Sequence, residues 1–252
     1  MVAATVATPV LERLGAGAAR GVVRGATARA AYLDFDGFVV ALTAPGVPLM
    51  PNGIAVARTT VGDGPVHAAP GRIALAGDEV TWSEEVAWEP RLPPLAGALR
   101  ERGAAILAAV GSEPLGLPEV QRAVRDRDPD AAAHAADRLL GLGGGLTPEG
   151  DDVLAATAAV VFAAGDAVGF AEPERARWLS ALVPADAAAR TTALSATLLA
   201  LAAEGRIVEP VHRLLDRGSE TAWREALRTL AATGASTGRA YAASVGSALA
   251  LL

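Results

Sequence analysis

Residues 141–152 read Gly-Leu-Gly-Gly-Gly-Leu-Thr-Pro-Glu-Gly-Asp-Asp, five glycines within ten residues closed by two adjacent carboxylates. An apolar run from Val153 to Phe162 follows, long enough for a helix. Such a loop delivers the chain to a helix start. Gly143, Gly144, Gly145 and Gly150 let backbone N–H groups approach a ligand closely. The free N–H groups of a helix's first turn form an anion site. Thr147 followed by Pro148 predicts an N-cap and the first helical position. The functional reading is a ligand cradle; the plain one is a loop squeezed between packed helices.

The charges sharpen the chemistry. Glu149, Asp151 and Asp152 suit the positive end of a helix dipole, yet they repel an anion. Two arrangements resolve this. Either a hard divalent cation such as Mg2+ bridges carboxylate and phosphate, or the carboxyls face an amide or amine while the N–H groups face the anion. Asp151 and Asp152 project about 100° apart on a helix, which separates their tasks. For each, a solvated helix-start charge is the alternative.

A second constellation is Arg190-Thr-Thr-Ala-Leu-Ser195. Helical spacing places Thr191, Thr192 and Ser195 on one face, and Arg190 can hold a carboxylate or phosphate bidentately. Hydroxyls bonded to the preceding turn are the competing account. A third is Gly234-Ala-Ser-Thr-Gly238, where Ser236 or Thr237 can cap a final helix and Gly238 opens the backbone. A fourth is Pro51-Asn-Gly-Ile54, with Asn52-Gly53 first of all a turn. His67, His134 and His212 read as surface or packing residues.

Composition removes whole classes of chemistry. The chain has 252 residues and no cysteine, which excludes disulfides, Fe–S clusters, zinc thiolates and cysteine nucleophiles. Every basic side chain is Arg, so a Schiff-base or Walker-type lysine is excluded too. A net charge of −6 argues against nucleic acid and anionic membrane as partners; the partner expected at the glycine loop is a small-molecule substrate. No basic region followed by an apolar segment opens the chain, and no apolar run reaches the roughly 20 residues of a bilayer span. The expected location is cytoplasmic.

The elements that must position these residues fall into two textures, an α+β class. Residues 1–91 are β-rich, a small barrel or sandwich-like region. A hairpin turns at Asp36-Gly37, a strand follows Gly53, and further turns are expected at 62–64 and at Gly77-Asp78. Residues 9–29 are ambiguous between helix and strand. Residues 92–252 are mostly helical, with helices expected at 94–110, 118–125, 130–140, 148–164, 174–182, 187–204, 207–216, 220–232 and 236–251.

The motif at 141–152 resembles the Gly-x-Gly-x-Gly-Leu-Thr-Pro-Ser-Gly-Asp-Asp signature of a family that includes a subunit of oxamate carbamoyltransferase, an enzyme of anaerobic allantoin breakdown and thus of purine catabolism. The segments at 51–54, 190–195 and 203–205 resemble it as well, so the likeness runs from about Tyr32 to the C-terminus. Glu149 stands where the family usually has Ser. Ala235 and Arg239-Ala240 replace the family's late His and Asp. The resemblance implies transfer of a carbamoyl group between carbamoyl phosphate and a small amide acid such as oxamate, in company with other carbamoyltransferase subunits or as a homo-oligomer. In that setting Asp151, Asp152 and Arg190 are the catalytic candidates. Asn52, Gly143, Gly144, Gly145, Thr147, Glu149, Gly150, Thr191, Thr192, Ser195, Ser236, Thr237 and Gly238 are the binding candidates. Two other readings stand beside it: a non-catalytic assembly or regulatory subunit, and a magnesium-dependent hydrolase.

Overall fold

The computed structural model describes residues 1–251 except 60, 63, 96–98, 112, 166–170, 217 and 235. The chain divides into two compact units, Met1–Pro90 and Arg91–Leu252.

The first unit is one curled, nine-stranded mixed sheet, a half-barrel. In chain order its elements are β1 (Thr5–Ala7), α1 (Thr8–Leu14), β2 (Ala19–Ala26), β3 (Ala30–Phe35), β4 (Phe38–Thr43), β5 (Gly53–Ala55), β6 (Pro65–Ala69), β7 (Arg72–Leu75), β8 (Asp78–Thr81) and β9 (Ala87–Trp88). The spatial order is β8-β7-β6-β2-β3-β4-β5-β1-β9. Neighbours are antiparallel except β4 with β5 and β1 with β9. The ambiguous segment 9–29 resolves into α1 and β2. Apolar residues of α1, Val10 and Leu14, join Leu33, Leu42, Ile54 and Ile73 of the sheet in one buried cluster.

The β3–β4 hairpin turns at Asp36-Gly37, where both residues take positive φ of 54° and 85°. That is the mirror-image turn whose twist suits adjoining strands. The next hairpin departs by one residue from the expected Gly77-Asp78. Leu75 pairs with Asp78, so Ala76 and Gly77 form the turn and Asp78 begins β8. Asp63 of the 62–64 turn lies outside the described residues.

The second unit comprises α2 (Arg100–Val110), α3 (Leu117–Asp126), α4 (Pro129–Leu139), α5 (Glu149–Ala164), α6 (Glu174–Leu182), α7 (Ala187–Arg190), α8 (Ala193–Ala202), α9 (Glu209–Leu215), α10 (Glu220–Ala231) and α11 (Thr237–Leu251). Of the helix expected at 94–110, residues 96–98 lie outside the described residues and the helix runs from Arg100. In α5 every residue except Glu149 and Phe162 is buried. A helix apolar on all sides belongs in the middle of a core, and α5 packs against α4, α6, α8 and α11. The first turn of α5 is therefore held from several directions. Among the described residues no helix is long and apolar enough to cross a membrane.

Candidate functional site

The glycine loop folds back over the start of α5. Leu142 accepts the N–H of Gly150 through its carbonyl at 2.9 Å. One of the helix's free N–H groups is thus satisfied by the loop backbone, and no side chain caps the helix. This corrects the expected cap: Pro148, not Thr147, occupies the N-cap position, and the helix begins at Glu149. The Thr147 hydroxyl is free to bond elsewhere, and it meets the Thr237 hydroxyl at 2.8 Å. Gly150 sits so close to α4 that a Cβ there would lie 2.2 Å from the Leu139 carbonyl oxygen. Gly143 and Gly145 take φ of 119° and 92°, while Gly144 is exposed and has no atom within 4 Å of where a Cβ would stand.

The helix expected across 187–204 is broken. Thr191 is extended at φ −136°, ψ −174°, and Thr192 caps α8, accepting the Ser195 N–H at 3.1 Å. Thr191, Thr192 and Ser195 therefore do not share one helical face. The reason is competition for the backbone by short hydroxyl side chains, reinforced by partners across the fold. Thr191 donates to Oδ2 of Asp151, and Thr192 donates to the Leu146 carbonyl at 2.6 Å. Asp151 also accepts the Gly141 N–H at 2.8 Å through Oδ1. Buried at 2% exposure, it clasps the loop to the start of α8. Thr191→Val removes one of its donors, and a buried acceptor left unsatisfied costs about 1–3 kcal/mol. We expect a urea midpoint lowered in proportion; an unchanged midpoint would show the clasp to be idle.

Asp152 differs from its neighbour. It is equally buried, and its Oδ2 has no hydrogen-bond partner. Loss of water pushes its carboxyl up to about 8; the Thr237 hydroxyl opposes this, and the negative charges of Asp151 and Glu149 add to it. At pH 7 it therefore keeps its proton. Tyr241, one turn along α11 from Thr237, is held well above its ordinary range by burial and then by Asp152 and Asp151. Sequence reasoning missed Tyr241, although its spacing of four from Thr237 was a usable signal. Ser195 is 1% exposed and its Oγ, too, has no partner.

The remaining candidates are placed as follows. Glu149 accepts the Leu115 N–H at 3.2 Å, which brings the chain just before α3 to the start of α5. Arg190 donates to the Asp137 carbonyl at 2.6 Å and pairs with the Asp137 carboxylate at 2.8 Å. Its guanidinium is committed to α4, a partner the sequence did not reveal. Ser236 precedes α11 and accepts the Ala240 N–H through its carbonyl at 3.0 Å. Thr237 is the first residue inside that helix, and Gly238 lies against the Leu230 carbonyl, leaving no room for a side chain. Ala235 lies outside the described residues. Asn52 belongs to the sheet unit. It is fully buried there and donates to the Val39 carbonyl at 2.7 Å, beside a turn closed by the Gly53 N–H and the Met50 carbonyl.

Three helix starts thus meet at one loop: α5 directly, α8 through Thr192 and Leu146, and α11 through Thr237 and Thr147. Aligned peptide dipoles place partial positive charge at each start. Among the described residues, Glu149, Asp151 and Asp152 have no arginine partner, and no three His, Cys, Asp or Glu side chains are grouped to hold a metal. At the α5 start the Asp151 and Asp152 N–H groups bond to the Pro148 carbonyl, so the groups left without a partner here are Asp152 Oδ2 and Ser195 Oγ.

The family model for oxamate carbamoyltransferase subunit AllH matches residues 139–251. No curated protein and no solved structure gives a significant match. The matched segment opens two residues before the glycine loop and carries α5, α8 and α11. Over residues 139–251, a little under half of its length, the chain is similar to the AllH family of oxamate carbamoyltransferase subunits.

Proposed function

We propose that the helical unit is the ligand-binding part of a carbamoyltransferase subunit, and that its loop holds carbamoyl phosphate or a small amide acid such as oxamate. The observation that carries this reading is the meeting of three helix starts at a glycine loop with two buried, unpartnered groups, Asp152 Oδ2 and Ser195 Oγ. In carbamoyl transfer to an amide nitrogen, a C–N bond forms and the C–O bond to phosphate breaks. The nitrogen gives up a proton and phosphate leaves. Preorganised N–H donors favour the charge that builds on phosphate. In this reading Asp152 and Ser195 face the ligand, while Asp151 and Arg190 position the loop and α8.

Gly144 provides the test. A Cβ there has no protein atom within 4 Å and needs no left-handed backbone, so the exposed loop has room for a side chain; a ligand lying on the loop does not. Gly144→Leu is expected to keep the wild-type melting temperature and to weaken oxamate and carbamoyl phosphate binding at least tenfold by calorimetry. Wild-type affinity in that variant would defeat the reading. An assembly role has its own support: Leu115, Leu142 and Leu146 are 49%, 43% and 49% exposed along and beside the loop. Turnover of carbamoyl phosphate by the purified chain alone would count against a purely structural subunit.

A further inference from the structure

We propose that Asp152 binds the ligand of this site as a neutral acid, donating a hydrogen bond from its own O–H to a ligand oxyanion. The proposal rests on the ligand-binding reading of the loop.

The geometry leaves few other roles for this carboxyl. The two oxygens of Asp151 are engaged, by the Gly141 N–H and the Thr191 hydroxyl. The Oδ2 of Asp152 is buried and has nothing to bond. A charged carboxylate there would stand beside Asp151 and Glu149 and repel any anion drawn to the helix starts. A protonated carboxyl removes that repulsion and turns an acceptor into a donor. The groups around it suit the neutral form. Glu149 and Asp151 flank it on α5, and Tyr241 approaches from α11 with its phenol held in the neutral state. The start of α8 carries the hydroxyls of Thr192 and Ser195. The Arg190 guanidinium, at the end of α7, is paired with Asp137 and Asp186. Burial keeps the Asp152 proton in place up to about pH 8. The ligand class that fits is a small carboxylate or other oxyanion, and a cationic amine is disfavoured.

The test uses oxamate and sulfate, whose charges stay constant between about pH 6.5 and 9.5. Calorimetric affinity of the wild-type protein is expected to fall about tenfold per pH unit above about 8, as each binding event must then draw a proton from solvent. Asp152→Asn keeps a neutral donor but has no proton to lose, so its affinity, whatever its level, is expected to be independent of pH across the range. Thr237→Val removes a donor that favours the ionised form, so its loss of affinity begins at higher pH. A flat wild-type profile, or an Asn variant that declines in parallel with wild type, overturns the coupled proton and leaves the ligand site standing. A wild-type protein that binds neither anion at any pH overturns both.

Discussion

Asp152→Asn is expected to raise the thermal stability of the protein at pH 8 and to lose that advantage near pH 4. In the folded chain the carboxyl holds its proton up to about 8, against an ordinary value of 3.8. The sign follows from linkage. Below about pH 4 the group is protonated whether the chain is folded or not, and it costs nothing. As pH rises toward 8 the unfolded chain gains stability by ionising, which the folded chain resists, so stability is progressively lost across this window. Four pKa units at about 1.4 kcal/mol each set a limit on the order of 5 kcal/mol. Asn carries no charge to desolvate and still accepts from Thr237. At about 2–4 °C per kcal/mol for a unit of this size, a rise of several degrees is expected at pH 8. Melting curves at pH 4.5 and 8 decide it. An Asn variant no more stable than wild type at pH 8 would mean that Asp152 is solvated or charge-paired in the folded protein. A carboxyl that costs stability where it sits is the kind of group retained for binding rather than for folding.

Gly150→Ala is expected to act in the opposite direction, with a loss of about 3 kcal/mol or more. The added Cβ would lie 2.2 Å from the Leu139 carbonyl oxygen, 3.0 Å from its carbon and 3.2 Å from its Cα. These are backbone atoms at the end of α4, so no side chain can swing aside, and overpacking of this kind falls at the upper end of its range. Relief requires α4 and α5 to separate, which breaks the bond from the Gly150 N–H to the Leu142 carbonyl and opens the loop. A urea midpoint equal to wild type would show that the close approach is relaxed at little cost. The contrast with Gly144→Leu separates two uses of glycine in one motif: Gly150 is demanded by packing, whereas nothing in the protein demands Gly144.

Several features were legible because they rest on neighbours in the chain. The Asp36-Gly37 turn follows from two residues that tolerate positive φ. The start of α5 follows from a proline after a glycine run, and was read to within one residue. The α+β division follows from alternation giving way to long Ala- and Leu-rich runs. Other features were misread for a definite reason. The break at Thr191 and Thr192 occurs inside a sequence of good helix spacing, because Asp151 and the Leu146 carbonyl offer those hydroxyls better partners. Arg190 read as a free anion clamp, since nothing in its own segment shows that Asp137 waits on α4.

The sequence by itself determined which chemistry is absent, where the flexible loop stands, and that a helix begins behind it. Only the tertiary structure decided what surrounds that helix start. Thr147 and Thr237 are 90 residues apart, and Asp151 and Thr191 are 40 apart. Periodicity and turn preference act over a few residues and carry no record of such meetings. Packing of α5, buried on nearly every side, among α4, α8 and α11 brings the helix starts together and removes water from Asp152. The same acidic pair, unremarkable in an exposed first turn, becomes in the core one hydrogen-bonded clasp and one neutral acid.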